Sequence, residues 1–182
     1  MPKDVLVLSG VLRGQGNTDA LLSRLLHGKK SDCLWLAFGG DTVSPCVNCK
    51  ACKTQSVCRI ADGMQKVYSA AQSAKYVVLA SPVYFGNLTG FLLDVLSRFQ
   101  CCFKDGYRTA PIIGPKKEGA VILTAGGYGE TAFAEKQARL MLKMLNVENP
   151  TMITSYQTDT VSAISDTGAL NKIDALRRRW FS

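Results

Sequence analysis

Five short apolar runs, each followed by a turn and then by a helical pattern, leave this chain few folds to choose from. The runs are Val5-Leu-Val-Leu8, Cys33–Phe38, Tyr76–Ala80, Gly119–Thr124 and Thr151–Tyr156. A continuous apolar run such as the first belongs to a strand covered on both faces. The helical stretches repeat their apolar residues every three or four positions. The first begins at about Thr18, with Asn17 or Thr18 as its cap, and buries Leu21, Leu22, Leu25 and Leu26. The second starts at Asp62 and buries Met64, Val67, Tyr68 and Ala71; the third presents Phe91, Leu92, Val95, Leu96 and Phe99. Two more cover about Thr131 to Leu145 and about Asp166 to Trp180. Alternating strands and helices imply parallel pairing, because parallel strands need crossover connections. The expectation is an α/β fold in one domain over residues 1–182: a three-layer, doubly wound, five-stranded parallel sheet. Residues 39–61 are read as a cysteine-rich insertion.

That insertion holds four of the seven cysteines, Cys46, Cys49, Cys52 and Cys58, within thirteen residues. With Pro45 before it and small polar residues inside, it reads as a loop, neither helix nor strand, folded around something. Four soft thiolates suit an iron–sulfur cluster or zinc. Three closely stepped cysteines and a more distant fourth look more like cluster ligation than like the two separated pairs of a structural zinc site. Free thiols are the plain alternative.

No stretch approaches the roughly 18 uninterrupted apolar residues of a membrane helix, and Met1–Ser9 reads as a first strand rather than a signal peptide. The expected compartment is the reducing cytoplasm, which an odd cysteine count suits. The formal charge of +8 is scattered; its densest run, Arg177-Arg178-Arg179, closes the last helix, where cations offset the helix dipole. No nucleic-acid or membrane partner is expected. His27 is the only histidine, which removes histidine-based zinc and triad chemistry, and no G-x-S-x-G nucleophile turn is present. Cys101 and Cys102 read as buried, inert thiols, and Cys33 as a small core residue. Gln100 to Lys117 lacks periodicity and is long for a connection, so Phe103 and Tyr107 are read as a subunit contact.

In an open α/β sheet ligands bind beyond the carboxyl ends of the strands. The turn after the first strand, Ser9 to Thr18, is neither a Walker loop nor a dinucleotide fingerprint. It has the means to hold a phosphate: a helix N-terminus, the Arg13 charge, and the side chains of Asn17 and Thr18. In the turn Ser81–Asn87, Pro82 and Gly86 constrain the backbone, Tyr84 and Phe85 flank a flat ring, and Asn87 bonds that ring or caps the next helix. The turn Thr124-Ala-Gly-Gly-Tyr128 lets bare backbone approach a ligand.

Gly10-x-x-Arg13-x-x-Gly16-Asn17-Thr18, the four cysteines followed by Asp62-Gly-Met64, Ser81-Pro-Val-Tyr-Phe-Gly86 and Thr124-Ala-Gly-Gly127 occur here in the order seen in the NAD(P)H-dependent FMN reductase family. With its cysteines the chain most resembles the iron–sulfur flavoprotein branch, from about Val5 to Leu145. The resemblance implies a flavodoxin-like sheet of order 2-1-3-4-5 with FMN at its edge. Ser9, Arg13, Gly16, Asn17 and Thr18 would take the phosphate. Pro82, Val83, Tyr84, Phe85, Gly86 and Asn87 would meet the isoalloxazine from one side, and Thr124, Ala125, Gly126, Gly127 and Tyr128 from the other. Cys46, Cys49, Cys52 and Cys58 would ligate a [4Fe-4S] cluster beside the flavin. The chain departs from the family pattern at Val11-Leu12, where Ser-Pro is usual, at Asp62-Gly63, at Leu93 and at Ser97-Arg98. The implied function is that of an oxidoreductase moving electrons between NADH or NADPH, or a redox partner, and an acceptor. No side chain is expected to act as acid or base. The alternatives are an electron carrier fed by a ferredoxin-like protein, and the same fold with structural zinc or an empty cysteine loop. A homo-oligomer, dimer or tetramer, is expected.

Overall fold

A computed structural model describes residues 3–11, 14–37, 39–55, 58–104, 107–108 and 114–181. Its strands are β1 Val5–Ser9, β2 Cys33–Ala37, β3 Tyr76–Pro82, β4 Glu118–Thr124 and β5 Thr151–Ser155. Between and after them come α1 Asn17–Leu25, α2 Met64–Ala70, α3 Gly90–Arg98, α4 Ala132–Met144 and α5 Thr167–Phe181. The five strands pair in parallel in the order β2-β1-β3-β4-β5, the expected flavodoxin-like order.

The side-chain period of two in a strand decides which helix covers which face. Val5, Val7, Val78, Ala80, Ala120, Ile122 and Ile153 pack with Leu21, Leu22, Leu25, Ile173 and Leu176, so α1 and α5 share one face. Leu6, Leu8, Leu36, Val77, Leu79, Val121 and Leu123 pack with α2, α3 and α4 on the other. Both faces being covered, the inner strands show the unbroken apolar runs seen in the sequence. Gly10 marks the closest approach at the end of β1: a Cβ there would stand 2.2 Å from Thr89 Oγ1 at the start of α3.

Several expectations are corrected locally. The cap of α1 is Gly16, with Asn17 as the first helical residue. The second helix starts at Met64, because Asp62 is held outside it by Ser44 N–H (3.0 Å) and Arg98. The cysteine loop contains one helical turn, Cys52–Gln55. After α3 the chain makes a 3₁₀ turn, Phe99–Cys102, and Phe103–Lys104 pairs antiparallel with Tyr107–Arg108. The side chains of Phe103 and Tyr107 lie outside the described set. Basic residues at the end of α5 have intramolecular work: Arg177 donates to the His27 carbonyl (2.9 Å) and Arg179 pairs with Glu118 (2.9 Å). No described helix is long and apolar enough to cross a membrane.

Lys117, just before β4, is 4% exposed, and its Nζ donates to the Pro115 carbonyl (2.8 Å). Burial pulls its pKa down to about 8, below the roughly 10.4 of an unfolded chain. Between those values the unfolded state holds the proton that the folded state has released, so stability rises with pH. Urea titrations should show a rise from pH 8 to about 10 that Lys117→Met lacks; equal pH profiles would contradict this assignment.

Candidate functional site

The crevice between β1 and β3, where strand order reverses, is where a doubly wound sheet binds ligands. Hydrogen bonds carry the strand pairing past the strand ends there. Gly10 N–H donates to Ala80 (2.8 Å), Val83 N–H to Thr124 (2.9 Å) and Ala125 N–H to Ser155 (2.9 Å). The turns after β1, β3 and β4 are thereby held as one rim around a cavity of about 500 Å³, a size typical of small-molecule clefts.

Of the residues proposed from sequence, Gly16, Asn17, Thr18, Pro82, Val83, Tyr84, Thr124 and Gly126 line this cavity. Ser9 and Ala125 are buried beside it, and Ser9 Oγ accepts from Val11 N–H (3.3 Å). Arg13 lies outside the described residues. Phe85, Gly86, Asn87, Gly127 and Tyr128 do not line the cavity. Phe85 is fully exposed with φ of +52°, a left-handed conformation uncommon for a non-glycine residue. Tyr128 stands over a neighbouring cavity of about 510 Å³ with Glu130, Glu135 and Tyr156.

Hydrogen bonds also decide what the polar side chains are free to do. Asn17 Nδ2 donates to the Thr158 carbonyl (2.9 Å), and its Oδ1 accepts from Ala163 N–H (2.8 Å) and Ser162 Oγ (3.3 Å). Its amide therefore clasps the loop after β5 and does not cap α1. Thr18 and Thr124 hydroxyls bond each other across the cavity floor (2.5 Å). Asn87 donates to the Phe85 carbonyl (2.9 Å) and accepts from Gln137 (3.1 Å), so it holds its own turn; Thr89 occupies the cap position of α3.

Three lining residues were not expected: Val11, Thr158 and Asp159. The last two belong to the loop after β5, which adds to the β4 turn through Thr158 N–H to Ala125 (3.0 Å) and Asp159 N–H to Gly126 (3.2 Å). A Cβ on Gly126 would meet the Asp159 carboxylate at 2.2 Å, so this contact requires glycine. Nothing in the 156–163 composition resembles a glycine-rich turn, and no local signal marked it.

A second cavity, of about 200 Å³, is lined by Cys46, Cys49, Cys52 and Cys58 together with Cys101, Arg98 and Gln100. Among the described residues no three His, Cys, Asp or Glu side chains are grouped as a site for a metal ion. Cys46 and Cys49 are exposed, Cys52 and Cys58 half-buried. Asn48 and Lys50 hold the loop's tight bends at φ of +52° and +64°.

The loop is fastened to α3. Cys46 N–H donates to Ser97 Oγ (2.9 Å). Arg98, with a fully buried side chain, donates from Nη1 to the Ser44 carbonyl (2.9 Å) and Asp62, and from Nη2 to the Ile60 carbonyl (3.2 Å). Burial works against the Arg98 charge, but the hydrogen bond to Asp62, helped by Tyr68 and Cys58, leaves its pKa raised. Burial likewise pushes the Asp62 carboxyl up, and the Arg98 hydrogen bond with two backbone N–H groups brings it below its ordinary value. Neither the Arg98 staple nor the presence of Cys101 in this cavity was read from sequence. No residue lines both cavities.

A parallel 2-1-3-4-5 sheet, with the turns of β1, β3 and β4 around one cavity at the strand reversal, defines a flavodoxin-like protein. The family model for NADPH-dependent FMN reductase matches residues 4–159, and the chain belongs to that family. Iron-sulfur flavoprotein MJ1083 of Methanocaldococcus jannaschii is 28% identical over 97 residues, 52% of this chain and 50% of its own length. An iron-sulfur flavoprotein of Archaeoglobus fulgidus is 28% identical over 151 residues, 75% of this chain and 72% of its own. The alignment with the first spans about half of that relative. Among solved structures, an NAD(P)H:quinone oxidoreductase from Methanothermobacter marburgensis superposes with a TM-score of 0.70 at 14% identity, covering 100% of this chain and 99% of its own.

Replacing Asn17 by Ala removes three hydrogen bonds and leaves Ala163 N–H without its acceptor. Stability in urea should fall by roughly 1–3 kcal/mol, with hydrogen exchange across 157–163 rising first. Unchanged exchange there would refute the clasp.

Proposed function

We propose that the chain is an FMN-dependent oxidoreductase that passes electrons between a nicotinamide or protein donor and an acceptor, with a [4Fe-4S] cluster in its cysteine loop. The observation that carries the FMN reading is the cavity of about 500 Å³ that the β1, β3 and β4 turns bound together. The residues present suit FMN. The N-terminus of α1 offers N–H groups to a phosphate, with Thr18 beside it and Arg13 in the same turn. Pro82, Val83 and Tyr84 form an apolar wall for a flat ring, and Gly126, whose missing Cβ leaves room for the Asp159 carboxylate, also lines the cavity. Phe85, Gly86, Asn87, Ala125, Gly127 and Tyr128 belong to this reading as the residues that shape and rim those walls, and Ser9 as support for the turn at Val11. FMN, when bound, supplies the hydride and electron chemistry, and the chain binds it, orients it and limits water.

The donor set of the second cavity also suits the cluster. Cys46, Cys49, Cys52 and Cys58 all line it, and four soft thiolates are the usual ligand set of an iron–sulfur cluster. Cys46 and Cys49 face outward, and that exposure supports a second reading: a carrier that takes electrons from a ferredoxin-like protein. Exposed Phe133 and Leu140, seven residues apart on α4, are the apolar groups that a homo-oligomer would cover.

Anaerobically purified protein should show flavin and cluster absorption together, with iron and acid-labile sulfide; zinc without sulfide would defeat the cluster assignment. Bleaching of the flavin by NADH or NADPH within seconds would favour the reductase over the carrier, and reduction by a ferredoxin-type donor alone would do the reverse. In titrations of apo-protein, Arg13→Ala should weaken FMN binding by about 1.5–3 kcal/mol, the worth of a hydrogen bond to a charged group, and Cys58→Ala should leave it nearly unchanged. Equal affinities would defeat the phosphate-turn assignment.

A further inference from the structure

We infer that Arg98 is the buried counter-charge, and through its Nε–H a hydrogen-bond donor, of the anionic group held by the cysteine loop; this rests on the iron–sulfur reading above. Arg98 is among the residues that line the cysteine cavity. Two of its three nitrogens are occupied: Nη1 by Ser44 and Asp62, Nη2 by Ile60. Nε is buried and has no hydrogen-bond partner among the described residues. An unmade hydrogen bond on a buried charged group is costly, and fastening the loop, which Nη1 and Nη2 already do, does not account for the unmet Nε. The unmet donor sits on a residue that lines the same cavity as the four cysteines.

Charge points the same way. Ligating cysteines are thiolates, so the occupied loop is anionic. The other cations on the cavity, Lys50, Lys53 and Arg59, are exposed and screened by water. Arg98 is 1% exposed, so its field reaches the cavity through protein, where electrostatic interactions are stronger. Its nearest carboxylate, Asp62, offsets part of that charge and faces it from the start of α2. Hydrogen bonds to cluster sulfurs and local charge are two of the factors that set a cluster's potential. Reduction adds negative charge, so a buried cation favours the reduced form and the Asp62 carboxylate opposes it. Arg98 is a positioning residue in this account; it ligates nothing.

The test uses the full chain purified anaerobically, with iron and sulfide measured first. A visible redox titration, with electron paramagnetic resonance of the reduced sample, then compares wild type, Arg98→Gln and Asp62→Asn. Arg98→Gln should lower the cluster midpoint by at least the equivalent of a tenfold change in the equilibrium constant, about 59 mV for one electron. Asp62→Asn should raise it. A residue that merely fastened the loop would move both variants the same way, or neither, and either result overturns the inference. If Arg98→Gln does not fold, Asp62→Asn decides alone, and no upward shift overturns it. Wild type without iron and sulfide would defeat the iron–sulfur reading and this inference with it; a loaded wild type with unmoved variants would defeat this inference only.

Discussion

Parallel pairing is the constraint on which the rest of the molecule depends. Because β1, β3 and β4 run the same way, their carboxyl ends and the turns that follow lie along one edge. Because β1 pairs on one side with β2 and on the other with β3, the chain must leave that edge in opposite directions, which opens a crevice. The hydrogen bonds of Gly10, Val83 and Ala125 extend the pairing into the turns. Cavity walls made this way inherit the rigidity of the sheet, which is what a precisely oriented flat ligand requires.

The architecture was legible in the sequence because both faces of the sheet are buried. Val5-Leu-Val-Leu8 reads as a strand whichever residue faces α1 or α2, and the leucines of α1 repeat at helical spacing. Gly16, Pro82 and Gly126 were legible as turn residues because backbone geometry restricts the choice there. Polar partners were not. Asn17 looks like a helix cap from its neighbours, but its contacts are at Thr158 and Ala163, more than 140 residues away. Asn87 has the residue type of a cap and instead closes its own turn against Gln137. Asp159 and Thr158 come from a loop without punctuation, and local pattern carries no information about which loop reaches a neighbouring turn.

The cysteine loop shows the same division. Its spacing suggested a shared purpose, and the four cysteines line one cavity. Its attachment was invisible, since Arg98 ends a helix whose other large residues face the core. Cys101 was read as a core filler and is buried, but it also borders that space. The two cavities are lined by separate residues, so no lining residue borders both. The helix α3 starts soon after the Pro82–Tyr84 turn and ends at Arg98, and its nine residues span roughly 13 Å.

The clasp formed by Asn17 has a consequence for the order in which the molecule is made. On a ribosome, the turn that begins α1 emerges early, and the loop that completes its cavity emerges only after residue 156. Bonds spanning 141 and 146 residues have high contact order, and such contacts close late. Until they do, a nascent chain can pair β1, β2 and β3 and yet leave one wall of the cavity missing. Completion of the cavity is thereby tied to synthesis past residue 163: a product stalled before it would carry the early turns without the loop that walls the pocket.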